Sequence, residues 1–76
     1  QKLVSVKISR KKPLDEVLAL TEAIQTCQEE LGQTGRVVAR YSGTEPKIRF
    51  LVEARDGKLV EKWIAELTGI AEKELT

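Results

Sequence analysis

Residues 36–54 of the chain read RVVARYSGTEPKIRFLVEA, two alternating segments joined by a short polar turn. Apart from Leu51, the apolar residues of the second segment fall at every other position: Ile48, Phe50, Val52 and Ala54. A period of two with β-branched and aromatic residues is typical of half-buried strands. The pattern therefore predicts strands over residues 36–41 and 47–54, connected by the polar turn.

The segments outside this pair complete a small set of elements. Residues 2–8 alternate as well and predict another strand. Apolar residues at helical spacing predict one amphipathic helix from Pro13 to Gly32 and a second one after Gly57. The first helix carries Val17, Leu20, Ile24, Cys27 and Leu31 on its apolar stripe, and the second carries Leu59, Val60, Trp63, Ile64, Leu67, Ile70, Ala71 and Leu75. Gly69 weakens the second helix, so its C-terminal part is expected to fray.

The element order β-α-β-β-α predicts one α+β domain over residues 1–76. Two helices with one apolar stripe each can cover one face of a small, mostly antiparallel sheet. The alternation of the strands then places Arg36, Arg40 and Arg49 on the opposite, open face. The two arginines that flank the turn are expected to converge on one side of it.

Composition excludes several classes of protein. The chain has 76 residues, a net charge of +1, one cysteine and no histidine. This near-neutral balance argues against a nucleic-acid binder that works by bulk electrostatics, and the residue types exclude zinc-ligand clusters and Ser-His or Cys-His pairs. A lone Cys27 fits a reducing compartment, and no run is apolar enough to span a membrane, so we expect a cytoplasmic location. The basic run Arg10-Lys11-Lys12 is expected to be simply solvated.

The polar turn has the composition of an anion site. Glycine lets backbone N–H groups approach an anion, hydroxyl groups add neutral donors, and guanidinium groups match phosphate oxygens bidentately. Without a base in the chain, Ser42 is expected to act as a hydrogen-bond donor rather than as a nucleophile. Glu45 is expected to shape the turn or form an ion pair rather than to act as a general base.

The turn also resembles a known motif. Arg40-x-Ser42-Gly43-Thr44-Glu45-Pro46-x-x-Arg49 is similar to the phosphate-binding loop in the C-terminal, fourth domain of the α-D-phosphohexomutases, and the likeness extends over nearly the whole chain. It implies phosphate contacts from Arg40, Ser42, Gly43, Thr44 and Arg49. It also implies that Glu45 and Pro46 shape the turn, and that Tyr41 occupies a variable position.

The resemblance carries expectations about the parent enzyme. Its members have four domains and move a phosphoryl group between two positions of a sugar, an isomerase reaction that uses a phosphoserine and magnesium. None of the phosphoserine, metal or sugar-reading motifs occurs here. The resemblance thus implies a phosphosugar substrate, three further domains as partners, no catalytic residue or cofactor in this domain, and no turnover by it alone. The expectation of no nucleic acid or membrane partner comes from the composition described above.

Two questions stay open from the sequence. The sugar, whether glucosamine, mannose, glucose or N-acetylglucosamine, is read by other domains in such enzymes. The chain could also be a free-standing α+β module for RNA or a small regulatory ligand. The lack of exposed sheet aromatics and of a basic excess counts against RNA.

Overall fold

The elements follow the predicted order in the computed structural model, which describes residues 1–76. The strands are β1 (Lys2–Lys7), β2 (Arg36–Tyr41) and β3 (Lys47–Glu53), and the helices are α1 (Leu18–Leu31) and α2 (Gly57–Glu74). Short 3-10 turns, Leu14–Glu16 and Gly32–Thr34, stand on either side of α1. The predicted α+β fold is confirmed, with β1 and β3 each ending one residue earlier than expected.

The sheet has β3 at its centre. This strand pairs antiparallel with β1, where Val4 faces Phe50, and with β2, where Ala39 faces Phe50. The strand order is therefore β1-β3-β2. The two edge strands run parallel to each other, and α1 carries the chain from one edge to the other.

Both helices cover one face of the sheet. Helix α2 packs against β1 and β3, while α1 packs against β2 and α2. The core between the layers consists of fifteen buried residues: Val6, Ile8, Val17, Leu20, Cys27, Leu31, Ile48, Phe50, Val52, Val60, Trp63, Ile64, Leu67, Ala71 and Leu75. The alternation in the strands predicted this division, and it leaves the other sheet face open.

Helix α1 begins later than its sequence suggested. Pro13 precedes the 3-10 turn, and Val17, with φ −95° and ψ 82°, separates this turn from the helix. Asp15 and Glu16 therefore lie in the 3-10 turn and not in the first turn of α1. The break lets the Val17 side chain enter the core, where it is 4% exposed.

Helix α2 begins at Gly57, slightly earlier than expected, and ends at Glu74, next to the last residue of its predicted apolar stripe. Its first turn is capped by Asp56, whose Oδ1 accepts a hydrogen bond from the Lys58 N–H at 2.8 Å. The helix continues through Gly69 to Glu74, so the predicted fraying is wrong. Ala71 and Leu75 are fully buried beyond the glycine, and their burial stabilises the last turns more than one glycine weakens them. Neither this helix nor α1 is long and apolar enough to cross a membrane.

A polar contact joins the two helices at the edge of the core. The Trp63 indole N–H donates to Glu30 Oε1 at 3.1 Å, and Lys62 Nζ donates to the same oxygen at 3.0 Å. The hydrogen bond from Lys62, followed by that from Trp63, lowers the pKa of the Glu30 carboxyl. Trp63 lies on the predicted apolar stripe of α2, and its burial agrees with that placement.

Cys27 lies in α1 and is fully buried. Burial, reinforced by the negative charge of Glu30, raises its pKa from 9.0 to about 11. As the pH rises from about 9 to about 11, the unfolded chain loses its thiol proton while the folded chain keeps it. The thiol's contribution to stability is therefore present below pH 9 and falls across this window.

We accordingly expect the free energy of unfolding to decrease more steeply between pH 9 and pH 11 for the wild-type chain than for Cys27→Ala. Urea unfolding at several pH values measures both slopes. Because the variant retains all other titrating groups, it is the matched control. Equal slopes in the two proteins would show that burial does not hold the thiol neutral.

Candidate anion-binding site

Arg40 and Arg49 stand directly opposite each other on β2 and β3. Both side chains are exposed on the open face of the sheet, as their parity predicted. Neither guanidinium group lies within ion-pair distance of a carboxylate, whereas Arg36 on the same face binds Glu53 at 3.2 Å. Like charges directly opposite each other across two strands are destabilising. The structure thus keeps an unfavourable pair of cations beside the turn.

The turn between β2 and β3 is held by main-chain hydrogen bonds. The Ser42 N–H donates to the Lys47 carbonyl at 2.9 Å, and the Ile8 N–H donates to the Pro46 carbonyl at 2.9 Å. Glu45 Oε2 lies 3.2 Å from Lys47 Nζ, so this carboxylate forms an ion pair within the turn. These contacts fix the turn at the end of the sheet nearest the two arginines.

Ser42 is the most buried member of the turn, at 8% exposure. Its Oγ accepts hydrogen bonds from the Thr44 N–H at 3.4 Å and the Glu45 N–H at 3.2 Å. The hydroxyl proton itself remains available for donation, because a hydroxyl can accept and donate at once. Ser42 therefore shapes the turn, a role that the sequence had assigned to Glu45 and Pro46.

Gly43 occupies open space at the tip of the turn. Its φ is not in the left-handed region, and a Cβ at this position would meet no atom of the chain within 4 Å. The chain's own conformation therefore does not require glycine here. The Gly43 N–H also donates no hydrogen bond within the chain, unlike the N–H groups of Thr44 and Glu45.

A cleft of about 310 Å³ opens between the arginines and the turn. Four of the five predicted phosphate contacts line it: Arg40, Ser42, Gly43 and Arg49. The fifth, Thr44, does not line the cleft and is exposed beside it. The structure thus brings four of the five predicted residues to one cavity and leaves Thr44 outside its lining.

Apolar side chains that sequence reasoning did not assign to the site line the same cleft. Leu3 and Val38 contribute to its wall, and both are register partners of Leu51 on the open face. Leu3 is 62% exposed. The alternation that located the arginines could also have located these residues. The cleft therefore has one cationic end and one apolar end.

Tyr41 borders the cleft but belongs to the other face of the strand. It pairs with Ile48 and packs against the core. Its hydroxyl oxygen is buried without a hydrogen bond of ordinary geometry. Burial raises the pKa of Tyr41, and the nearby backbone of Lys12 partly offsets this rise. Nothing in this arrangement gives the phenol a role toward an anion.

Lys11 corrects the expectation for the basic run at residues 10–12. Its Nζ donates a hydrogen bond to the Ser42 carbonyl oxygen at 2.7 Å, so this lysine is not simply solvated. The two residues are 31 positions apart, and only the pairing of β1 with β3 brings their segments together. No local sequence signal could have revealed this contact.

The near-zero net charge conceals a strong separation of charge. Residues 1–12 contain five basic and no acidic residues, whereas residues 13–35, which include α1, contain five acidic and no basic ones. Asymmetric charge creates a surface potential that the net charge does not reveal. The basic segment contributes β1 and the connector, in which Lys11 contacts the turn beside the cleft, whereas Lys2 forms an ion pair with Glu61 of α2.

The chain does not gather the ligands of a metal ion. No group of three or more His, Cys, Asp or Glu side chains is arranged to hold one. The residues present therefore do not fit a magnesium site, and the cleft is lined by cations rather than by the carboxylates that magnesium binds.

The fold and the cleft together define a small α+β domain with a cationic, open sheet face. Residues 3–70 match the family model of the phosphoglucomutase/phosphomannomutase C-terminal domain, and the chain belongs to this family. The family resemblance that its sequence suggested is thereby confirmed.

Curated relatives are similar over essentially the whole chain. The phosphoglucosamine mutase of Methylobacillus flagellatus is 40% identical over 74 residues, which cover 97% of this chain and 16% of that protein. That of Myxococcus xanthus is 38% identical over 76 residues, or 100% of this chain and 17% of that protein. That of Synechococcus sp. strain WH7803 is 41% identical over 78 residues, which cover 99% of this chain and 17% of that protein. The chain thus spans 16–17% of the length of these relatives.

Proposed function

We propose that this chain is the substrate-phosphate-binding domain of a phosphosugar mutase that interconverts a hexosamine 6-phosphate and its 1-phosphate. One observation carries the proposal. Arg40 and Arg49 are paired across two strands, lack any carboxylate partner, and face a cleft beside a turn with a free N–H group. A phosphate dianion would relieve the repulsion between the two guanidinium groups, which no group of the chain does.

The groups at the cleft are suited to bind the phosphate group without contacting the sugar. Guanidinium forks can bind two phosphate oxygens each, and the Ser42 and Thr44 hydroxyls with the Gly43 N–H add neutral donors. The open space at Gly43 leaves room for a ligand oxygen to approach the backbone. Binding that involves only the phosphate would suit a mutase, because the intermediate has to bind in two orientations that bring two positions of the sugar to the reaction centre in turn.

Chemistry is assigned to the rest of the parent protein. No residue at the cleft is a base or a nucleophile with an adjacent base, so we propose that this domain binds and orients the phosphate without turnover. The phosphoserine and the magnesium ion of such a mutase would reside in three further domains. We propose a cytoplasmic enzyme, consistent with a single cysteine that is buried and unpaired.

The substrate is proposed as a hexosamine phosphate because the relatives described above are phosphoglucosamine mutases. The family model also spans phosphoglucomutases and phosphomannomutases, which are the alternative within the same reaction class. A free-standing module for RNA or a regulatory ligand remains the alternative outside it. The basic residues 1–12 are the segment that such a module would use.

An amide NMR titration with glucosamine 6-phosphate tests the proposal. Inorganic phosphate serves as the sugar-free control, and a short RNA tests the alternative. We expect salt-sensitive shifts confined to residues 40–49, of similar size for the phosphosugar and for phosphate. Binding should be weak, because the contacts from other domains are missing.

Each other outcome is informative. The absence of shifts in residues 40–49 at saturating phosphosugar would contradict the proposal. Larger shifts with RNA, centred on residues 1–12, would favour the RNA-binding module. A phosphosugar response far above that of phosphate would show that this domain also reads the sugar.

A further inference from the structure

The connector between β1 and the first 3-10 turn is fixed beside the anion-binding cleft. The Ile8 N–H donates to the Pro46 carbonyl at 2.9 Å, which ties the end of β1 to the polar turn. The next two N–H groups, of Ser9 and Arg10, donate to the Leu75 carbonyl at 2.8 and 3.0 Å. The following residue, Lys11, therefore leaves a well-anchored backbone next to the turn.

The Lys11 ammonium group makes one contact within the chain, a hydrogen bond to the Ser42 carbonyl oxygen at 2.7 Å. No carboxylate lies within ion-pair distance of it. The hydrogen bond orders the lysine side chain at an entropic cost, and it satisfies the carbonyl of the most buried residue of the turn. The contact also acts on the peptide group that it binds.

The Ser42 carbonyl and the Gly43 N–H belong to the same peptide unit. A cation on the oxygen polarises this unit and makes its N–H a stronger hydrogen-bond donor. The Gly43 N–H has no acceptor in the chain, and Gly43 lines the cleft. Lys11 also keeps two further N–H donors, since an ammonium group has three.

We infer that Lys11 is a positioning residue of the anion site, whose ammonium group holds and polarises the Ser42–Gly43 peptide so that the Gly43 N–H is directed at the bound phosphate. The inference rests on the proposed function, because it assumes that an anion occupies the cleft. It adds a third cation, from a different segment of the chain, to the two arginines.

Three variants test the role of Lys11. Lys11→Met removes both the charge and the donor, and Lys11→Arg retains both. Lys12→Met is the matched control, because it removes the same charge from the neighbouring residue, whose side chain makes no hydrogen bond or ion pair. The dissociation constant for inorganic phosphate is measured by amide NMR titration at fixed ionic strength, and urea unfolding checks each fold.

We expect Lys11→Met to weaken phosphate binding by about two- to fourfold, because polarisation strengthens a hydrogen bond to a charged group by roughly a tenth to a third of its value. Lys11→Arg should restore most of the affinity, and Lys12→Met should leave it nearly unchanged. In the free protein, the Gly43 amide proton should move upfield in Lys11→Met and stay in place in Lys12→Met. A merely structural lysine would move this resonance without weakening phosphate binding, so a shift that is accompanied by a loss of affinity, at an unchanged unfolding midpoint, identifies a positioning role.

Two results would overturn the inference while leaving the proposed function intact. Equal affinity of Lys11→Met and wild type would show that Lys11 does not contribute. Equal small losses in Lys11→Met and Lys12→Met, with an unmoved Gly43 resonance, would reduce its role to general charge. A wild-type chain that shows no phosphate-dependent shift would instead overturn the proposed function, and the anion role of Lys11 with it.

Discussion

Phe50→Ala is expected to lower the free energy of unfolding by about 3–5 kcal/mol, the range for truncating a buried aromatic side chain. Phe50 is fully buried at the middle of the central strand, where its backbone pairs with Val4 on one side and Ala39 on the other. Its ring is among the largest fully buried groups in the core. The cavity left by alanine would be enclosed by both layers of the fold.

This loss is large relative to the total free energy of unfolding expected for a chain of this size. Globular proteins have about 0.05–0.15 kcal/mol of stability per residue, so a chain of this length should have roughly 4–11 kcal/mol. The variant is therefore expected to keep only part of this stability, and to be partly or wholly unfolded if the wild type lies at the lower end of the range. Urea denaturation with circular dichroism measures the loss. Leu3→Ala is the control, because Leu3 is also an apolar strand residue but is 62% exposed, and its loss should cost about 0.5 kcal/mol or less. Equal costs at the two positions would contradict the placement of the core.

Arg40→Ala and Arg49→Ala carry the largest expected effect on binding. Each should weaken phosphate binding by about 1.5–3 kcal/mol, the cost of removing a charged hydrogen-bond partner. The free energy of unfolding should stay the same or rise slightly, because each variant removes one of two like charges that face each other without a counter-ion. NMR titration and urea denaturation of the same samples measure the two quantities.

Arg36→Ala is the matched control for the two arginines. Arg36 lies on the same strand and face as Arg40 but is paired with Glu53, away from the cleft. Its removal should leave phosphate binding unchanged and cost at most about 1 kcal/mol of stability, since the pair is solvent-exposed. Unfolding of Arg40→Ala would identify that arginine as a structural residue. A loss of binding in Arg36→Ala as large as in Arg40→Ala would reduce the site to diffuse charge.

The sequence was sufficient to predict the faces of the sheet. In β3, the alternation of Ile48, Phe50 and Val52 with Arg49 is a local property, and burial of one face follows directly from it. The element order and the helical stripes could be predicted for the same reason, because they too follow from local sequence. The start of α1 could not be predicted in this way, because the 3-10 turn before it depends on Val17 packing into a core that the whole chain forms.

The site was predicted less completely, for a related reason. Arg40, Ser42, Gly43 and Arg49 are close in sequence, and a hairpin was enough to bring them together. Their direct opposition depends on the register of the pairing. The hydrogen bond of Lys11 depends on β1 docking against β3, and the burial of Ser42 depends on the internal bonding of the turn. Such contacts follow from tertiary structure and leave no pattern in a single sequence.

The strand order also bears on how the chain acquires its structure. Because β1 pairs with β3 rather than with β2, its partners are distant, with Lys2 opposite Val52 and Lys7 opposite Lys47. The β2–β3 hairpin closes a short loop and can form early, whereas β1 has to wait until the hairpin is available. During synthesis the first strand would emerge long before its partner and remain unpaired. The connector that bears Lys11 would then reach its position only in the final docking step, so the anion site would be completed last.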